Sequence, residues 1–240
     1  MNTIEVCLSP LLFSSRTTNS EHLVVIVDVL RATSAFCAAF DSGVRSIIPL
    51  AELEELFEYK MKGYPTAAER EGEKVNFADF GNSPVAFLQS DLRGKDLAYS
   101  TTNGTQAVEP AKSSEDIVTA AFVNLDAVCE WVTRQDKDVV ILCSGWKNTF
   151  SLEDTLCAGA IIETLEATGD FEAFSDASLA ALVLWQNMKG DLIENTSSGS
   201  HFQRLLNLGQ HPDLAYCFNL NSSIAVPVWD GSCFRNSNAK

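Results

Sequence analysis

The feature that most constrains the fold is an unbroken apolar run at residues 23–27, which ends directly on the acidic residue Asp28. Such a run, without polar alternation, is typical of a parallel strand that is covered on both faces. Strands of this kind carry polar residues to the crevice at their carboxyl ends, where α/β proteins bind ligands. Arg31, Thr33 and Ser34 follow Asp28 within a few residues. The stretch therefore predicts a site, although a buried salt bridge between Asp28 and Arg31 would explain the same pair.

Further apolar strands alternate with helices along the chain, which indicates an α/β fold. The expected strands are residues 46–49, 96–100, 117–121, 139–143 and 223–227. With 240 residues, 46% of them hydrophobic, the chain can bury a large core, and we expect a single domain over residues 1–240. The polar segment 67–84 is interpreted as a long loop that carries site residues. The tail from residue 234 onward is expected to be frayed.

The formal net charge of -15 argues against a nucleic-acid or anionic-membrane partner, since no basic cluster rises above the acidic background. No apolar run approaches the roughly 20 residues that span a bilayer. The N-terminal residues lack the features of a secretory signal, and the seven cysteines have no C-x-x-C spacing. Reduced, buried thiols in a cytoplasmic protein are expected. None of the three histidines has metal-ligand spacing, so any metal is expected to be a hard, oxygen-liganded ion such as Mg²⁺.

Two more polar groups follow predicted strands. Residues 101–105 read TTNGT, which suits an anion cradle of hydroxyls and backbone N–H groups but equally an ordinary turn. Ser151 is the expected cap of a helix whose first turn holds Glu153 and Asp154, where the helix dipole favours acids whatever their function. Cys143 ends a strand, but it lacks the downstream arginine of a cysteine-phosphatase loop, so a buried structural thiol is the favoured interpretation.

Taken together, these motifs resemble the 2-phosphosulfolactate phosphatase family over roughly residues 5–230. The matching motifs, in family order, are DVLRATS at 28–34, ER at 69–70, GNSP at 81–84, TTNGT at 101–105 and EDTLCAG at 153–159. Similar single positions are Ser200, Leu205, Gly209, Asp213 and Cys217, leading to Val226 and Pro227. The resemblance implies a three-layer α/β/α sandwich around a mixed, largely parallel sheet. It also implies a Mg²⁺-dependent phosphatase that converts (2R)-2-phospho-3-sulfolactate to 3-sulfolactate and phosphate, a step of coenzyme M biosynthesis.

The resemblance also implies roles for individual residues. The catalytic residues would be Asp28, Arg31, Glu69 and Arg70. The residues that bind a small anionic phosphorylated substrate would be Thr33, Ser34, Asn82, Ser83, Thr101, Thr102, Asn103, Gly104 and Thr105. The residues that hold Mg²⁺ would be Asp28 and Glu69, together with one of the acidic pair, Glu153 or Asp154. The chain departs from the family pattern at Ala68, where glycine is common, and over residues 71–80, where a Gly-Phe-Asp-like sequence is usual. These departures bear on substrate identity more than on phosphatase chemistry.

Three questions stay open at this point. The nucleophile is either metal-bound water or Asp28 through an aspartyl-phosphate, and water is favoured because a carboxylate tied to a metal is a poor nucleophile. The substrate could be another phosphorylated hydroxy acid. The protein could also bind an anion without turnover, although clustered acids would then serve no purpose without a metal. A homodimer is expected for a chain of this kind.

Overall fold

The computed structural model describes residues 1–13, 22–101, 104–112, 114, 116–147 and 149–238, with only the backbone described at 104–106. Its strands are β1 (Asn2–Cys7), β2 (Leu23–Val27), β3 (Ser46–Pro49), β4 (Thr66–Arg70), β5 (Glu73–Lys74), β6 (Asp96–Ser100), β7 (Asp116–Ala120), β8 (Val139–Cys143), β9 (Phe171–Ala173), β10 (Pro227–Trp229) and β11 (Phe234–Asn236). Its helices are α1 (Pro10–Phe13), α2 (Ala32–Asp41), α3 (Leu53–Met61), α4 (Pro84–Leu88), α5 (Gly104–Ala111), α6 (Leu125–Thr133), α7 (Leu152–Glu166), α8 (Asp176–Met188), α9 (Leu192–Thr196), α10 (Ser200–Asn207) and α11 (His211–Cys217). The predicted alternation of strands and helices is confirmed.

Within these ranges the strands form a mixed, largely parallel sheet in the order β5-β4-β6-β3-β11-β10-β7-β2-β8-β1-β9. One parallel block contains β7, β2, β8, β1 and β9, and the other contains β3, β6 and β4. The antiparallel pair of β10 and β11 joins the two blocks, because β10 pairs with β7 and β11 pairs with β3. The C-terminal hairpin therefore connects the two parallel blocks into a single sheet.

Strand β2 separates two hydrophobic cores, as its unbroken apolar sequence predicts. Val25 and Val27 belong to the core beneath α6, α7 and α8, whereas Val24 and Ile26 belong to the core that contains α2, α4 and α5. Successive side chains of a strand point to opposite faces, so an all-apolar strand needs cover on both. Each of these fully buried aliphatic side chains contributes roughly 1.5–3 kcal/mol by leaving water. The result is the expected α/β sandwich.

Helix α2 is enclosed between the two parallel blocks. Nine of its ten residues are buried, which explains why the sequence ATSAFCAAF has no polar face. The ring of Phe36 packs against the rings of Tyr99 in β6 and Phe234 in β11, with centroid separations of 5.0 Å and 5.3 Å. Because sheets twist progressively from strand to strand, a long sheet can curl around one helix. The curl brings the second block toward the carboxyl end of β2.

Two expectations about irregular segments are wrong. The segment 67–84 contains most of β4 and all of β5, because Ala67 and Ala68 pair with Tyr99 and Ser100 of β6. The tail contains β11, whose Phe234 is fully buried and pairs with Ile47 of β3. The strands in both segments are short, and their sequences are polar or rich in alanine, so they show no clear strand pattern. They are extended because they pair with strands that are distant in sequence. The strand predicted at residues 223–227 is also displaced, because β10 begins at Pro227, where the predicted strand would end.

The seven cysteines are all buried and unpaired, in agreement with the prediction of reduced thiols. Burial raises the pKa of Cys143 well above its usual value, and nearby Asp154 adds to the rise. A thiol in that state is a poor nucleophile, which supports its structural interpretation. None of the helices in the described ranges is long and apolar enough to cross a membrane.

Candidate active site

A cleft opens beside the carboxyl end of β2. It is bounded by the turn between β2 and α2, the hairpin between β4 and β5, the segments after β6 and β8, and helix α10. The lining residues are Asp28, Leu30, Arg31, Glu69, Glu71, Gly72, Asn82, Thr101, Trp146, Lys147, His201, Arg204 and Leu205. Of the predicted site residues, five lie in this lining. They are drawn from segments far apart in sequence, which is typical of a binding site in an α/β protein.

Asp28 lies at the floor of the cleft and is 6% exposed. Its Oδ1 accepts the backbone N–H of Ala32 at 3.2 Å, at the first residue of α2. The pKa of Asp28 is raised to about 6, mainly by burial; His201 and the Ala32 N–H oppose the rise, and the charges of Glu69 and Glu153 add to it. The cleft thus concentrates negative charge at its floor, where an ionised carboxylate is costly without a cation.

Arg31 forms its ion pair with Asp213 of α11, not with Asp28. Nη1 of Arg31 lies 2.6 Å from Oδ2 of Asp213, and the two side chains are 3% and 6% exposed. Asp213 also accepts the hydroxyl of Ser83 at 2.7 Å and the N–H of Val85 at 3.4 Å. The alternative interpretation, a buried salt bridge between Asp28 and Arg31, is therefore wrong: Arg31 does form a buried salt bridge, but its partner is Asp213. Asp213 was among the family-like positions, but no pattern in the sequence indicated this role.

The hairpin between β4 and β5 connects Glu69 to Arg31 through one glycine. The N–H of Gly72 donates to Oε1 of Glu69. The carbonyl of Gly72 accepts from Nη2 of Arg31 at 3.3 Å and from Nε2 of Gln210 at 3.2 Å. Gly72 has a φ of +84°, a conformation that favours glycine. The departure from the family pattern at 71–80 thus includes a turn that builds the cleft wall.

Arg70 lies outside the lining of the cleft. Its guanidinium donates to the carbonyl of Glu69 at 2.8 Å, to Oγ of Ser100 at 2.9 Å and to the carbonyl of Ala51 at 3.3 Å. These contacts tie β4 to the end of β6 and to the segment before α3. The catalytic role expected for Arg70 stays a prediction, and the contacts it makes are structural ones.

Three of the hydroxyls predicted to bind substrate, those of Thr33, Ser34 and Ser83, form hydrogen bonds within the protein. Thr33 donates to the carbonyl of Asp28 at 2.8 Å, and Ser34 donates to the carbonyl of Val29 at 2.8 Å, so both stabilise the turn that presents Asp28. Ser83 caps helix α4 and reaches Asp213. Asn82 lies in the cleft lining, where its Oδ1 accepts the hydroxyl of Tyr99.

The TTNGT motif is only partly described. Thr101 follows β6, is buried and lies in the cleft lining. Gly104 and Thr105 begin helix α5, where only the backbone is described. Thr102 and Asn103 lie outside the described residues. The strand end therefore reaches the cleft at Thr101.

The two acids of the first turn of α7 have different environments. Both oxygens of Asp154 accept backbone N–H groups, from Val29 at 2.8 Å and from Gly145 at 3.0 Å. Burial raises the pKa of Asp154 well above its usual value, and Glu153 and Asp28 add to the rise. Oε1 of Glu153 lies 3.0 Å from Nδ1 of His201. Asp154 thus joins the loops after β2 and β8, whereas Glu153 contacts a residue of the cleft lining.

Four residues at the mouth of the cleft were missed by the sequence analysis. The ring of His201 stacks on Trp146 with centroids 6.0 Å apart, and Lys147 and Arg204 lie over the same indole. One available signal was the spacing of His201 and Arg204, which are three residues apart and therefore share a face of α10. Within the ranges that the structure describes, no group of three or more His, Cys, Asp or Glu side chains forms a ready metal cage.

Comparisons with known proteins give a consistent result. A family model described as 2-phosphosulpholactate phosphatase matches residues 9–232. A probable 2-phosphosulfolactate phosphatase of Caldanaerobacter subterraneus is 34% identical over 221 residues, which is 90% of this chain and 91% of that protein. A probable 2-phosphosulfolactate phosphatase of Gloeobacter violaceus is 40% identical over 209 residues, 85% and 86% of the two chains.

Proposed function

Because this chain belongs to the 2-phosphosulfolactate phosphatase family, we propose that it hydrolyses 2-phospho-3-sulfolactate to 3-sulfolactate and phosphate with the help of Mg²⁺. The family is one of phosphoric monoester hydrolases. The observation that carries the proposal is one cleft in which buried carboxylates, Asp28 and Glu69, face the buried guanidinium of Arg31. We further propose the place in coenzyme M biosynthesis, the cytoplasmic location and the homodimer that the sequence led us to expect.

A phosphate monoester resists hydrolysis because its anionic oxygens repel a nucleophile. Catalysis therefore depends on neutralising those oxygens and on placing the attacking group. Arg31 is suited to the first task, since Asp213 and Gly72 fix its guanidinium against the cleft wall. A planar guanidinium that is already oriented loses little entropy when it binds phosphoryl oxygens.

The donor chemistry of the cleft fits Mg²⁺. Asp28 and Glu69 supply hard oxygen donors, and a divalent cation would offset the cost of ionising Asp28 among other acids. Mg²⁺ commonly uses one or two carboxylates, with water and substrate oxygens completing its shell, so a three-residue cage is not required. Asp154 is the weaker candidate ligand, because both of its oxygens already accept backbone N–H groups. When bound, the ion would neutralise charge on the phosphoryl group.

The leaving group is an alkoxide, which needs a proton as it departs. His201 is the cleft's imidazole, held by Glu153 at Nδ1 and by stacking on Trp146. With Nδ1 donating to Glu153, Nε2 is the nitrogen that can pass a proton to the leaving oxygen. Water remains our favoured nucleophile, because Asp28 would be one of the residues that hold the metal, and a carboxylate bound to a metal is a poor nucleophile.

Phosphate release from 2-phospho-3-sulfolactate tests the proposal. The purified protein should release phosphate in the presence of Mg²⁺, lose activity in EDTA and regain it when Mg²⁺ is restored. A panel of other phosphorylated hydroxy acids, assayed in the same way, would reveal a phosphatase of the same fold with a different substrate. Binding of phosphate or 3-sulfolactate without any hydrolysis would contradict the proposal and favour a non-catalytic anion-binding protein.

Replacing Gly72 by alanine should reduce activity, because it disturbs the hairpin turn that forms one wall of the cleft. A Cβ at this position would lie 2.9 Å from Cδ1 of Leu208 and 3.1 Å from Nη2 of Arg204. We expect a loss of about 1–2 kcal/mol in the free energy of unfolding from the positive φ, and a fall in kcat/KM on the order of tenfold or more as Glu69 and Arg31 shift. Urea unfolding and phosphate release measure the two effects.

Gly63→Ala is the matched control. Gly63 has a φ of +85°, and a Cβ there would meet nothing within 4 Å. It should therefore lose stability similarly but keep its activity. Equal activity in Gly72→Ala and Gly63→Ala would contradict a role for the hairpin in the site.

A further inference from the structure

Two cations lie against one indole at the mouth of the cleft. Nζ of Lys147 is 5.1 Å from the ring centroid of Trp146, and Cζ of Arg204 is 5.6 Å from it. The side chain of Lys147 is 58% exposed, whereas Arg31 at the floor is 3% exposed. Aromatic rings attract cations over their faces and so restrict the side chains that carry them. Trp146 therefore holds two cations at the entrance, above the buried Arg31.

The position of Arg204 is fixed from a second side. Its guanidinium lies against Gly72, since Nη2 would be 3.1 Å from a Cβ at that glycine. Lys147 lies 3.4 Å from Oε1 of Glu71 in the same hairpin. The two cations thus bridge the loop after β8, helix α10 and the hairpin wall, and all of these residues line the cleft.

We propose that Lys147 and Arg204 bind the sulfonate of the substrate, which does not react, and thereby select phosphate monoesters that carry a further strong acid. The inference rests on the proposed phosphatase function and assigns residues to the choice of substrate. A molecule with both a phosphate and a sulfonate would be repelled by Asp28, Glu69 and Glu71 unless cations met each group. The net charge of -15 strengthens that repulsion.

Arg31 does not serve both groups. Its guanidinium is buried and bound to Asp213 and Gly72, so it is confined to the floor beside Asp28. The second acid must therefore be met by cations nearer the entrance. Arg204 has a planar fork of donors that matches the oxygens of a sulfonate or carboxylate, and Lys147 adds a second positive charge beside it.

The test compares two substrates, 2-phospho-3-sulfolactate and p-nitrophenyl phosphate, which lacks a second acid. In Arg204→Gln and Lys147→Gln, we expect KM for 2-phospho-3-sulfolactate to rise about tenfold. The ratio of kcat/KM between the two substrates should fall by a similar factor. Arg134→Gln and Lys62→Gln remove the same charge from exposed positions elsewhere and should leave that ratio unchanged. Equal losses on both substrates, or no loss, would overturn the proposal.

Calorimetry with 3-sulfolactate and with inorganic phosphate separates this inference from the proposed function. Arg204→Gln should weaken binding of 3-sulfolactate far more than binding of phosphate, whether or not the wild type is a phosphatase. Equal weakening of the two ligands would overturn the inference even in an active enzyme. Absence of hydrolysis by the wild type would overturn the proposed function alone.

Trp146 acts in this proposal as a positioning residue. Trp146→Leu should raise KM for 2-phospho-3-sulfolactate, because Arg204 and Lys147 lose the ring that holds them, and should also lower kcat, because His201 loses its stacking partner. Trp146→Phe keeps an aromatic face and should restore most of the affinity. A fall in kcat alone, or equal behaviour of the two variants, would contradict the positioning role.

Discussion

Asp28→Asn is expected to abolish phosphate release while making the metal-free protein harder to unfold at neutral pH. The activity should fall on the order of 10³-fold, since the variant loses the charge at the centre of the cleft. The amide keeps an oxygen for the Ala32 N–H, so the turn should remain folded. Steady-state assays with Mg²⁺ measure the first effect, and a variant that keeps a tenth of wild-type kcat/KM would remove Asp28 from the mechanism.

The stability effect follows from the pKa of Asp28, which burial raises from 3.8 to about 6. Below about pH 4 the carboxyl is protonated in both the folded and the unfolded chain, and it costs nothing. Between about pH 4 and pH 6 the unfolded chain has released the proton while the folded chain still holds it, so stability falls by roughly 3 kcal/mol across this window and stays at the lower value above it. Asparagine has no such proton. The variant should therefore exceed the wild type in free energy of unfolding at pH 7.5 and match it at pH 4.

Urea unfolding in EDTA at the two pH values measures this difference. Asp170→Asn, at an exposed position, is the matched control and should show no pH-dependent gain. Adding Mg²⁺ should stabilise the wild type and have a much smaller effect on Asp28→Asn, if the ion binds at Asp28. A wild type that is as stable as Asp28→Asn at pH 7.5 without metal would contradict the burial argument.

Asp213→Asn should be among the most destabilising substitutions in this chain. It leaves the guanidinium of Arg31 buried without a counter-charge, and loss of one partner of a buried ion pair costs about 3–5 kcal/mol. The asparagine can still accept from Ser83, so the effect reports the charge. Activity should also fall on the order of 10²-fold, because Arg31 is no longer held in place. Chemical unfolding and kcat/KM measure the two losses.

Two variants separate stability from function at this pair. Glu130→Gln breaks an exposed pair with Arg134, 75% and 52% exposed respectively, and should cost less than about 1 kcal/mol. The double variant Arg31→Met with Asp213→Asn removes both charges and should recover much of the stability but not the activity. Recovery of activity in the double variant would show that Arg31 takes no part in the reaction.

The secondary structure was predictable where its signals are local. The apolar run that became β2, the small apolar sequence that became α2, and the cap of α7 by Ser151 were all read from adjacent residues. Strands β4 and β11 were not predicted, because Thr66–Arg70 and Phe234–Asn236 have no strong strand pattern. They are strands because β6, β3 and β10 offer them hydrogen bonds.

The site was predictable in its parts and not in its pairings. The sequence located Asp28, Arg31 and Thr101 after predicted strands, and the family resemblance singled out Glu69 and Asn82 in the polar segment 67–84; all five line the cleft. It did not locate the entrance cations, because a lysine after a strand and an arginine on a helix carry no signal of their own. They become part of a site only when α10 packs beside the loop after β8.

The sequence by itself determined the elements with strong local signals, such as β2, α2 and α7, and the polar residues next to them, because hydrophobic periodicity and caps act over a few residues. Only the tertiary structure decided which charges meet. Arg31 does not pair with Asp28, which lies three residues before it in sequence, but with Asp213, which lies 182 residues after it. The guanidinium of Arg70 hydrogen-bonds to Ser100 and does not line the cleft. The physical reason is that a buried charge must find its partner where packing brings one within hydrogen-bond distance, and that distance is set by the fold and not by separation along the chain.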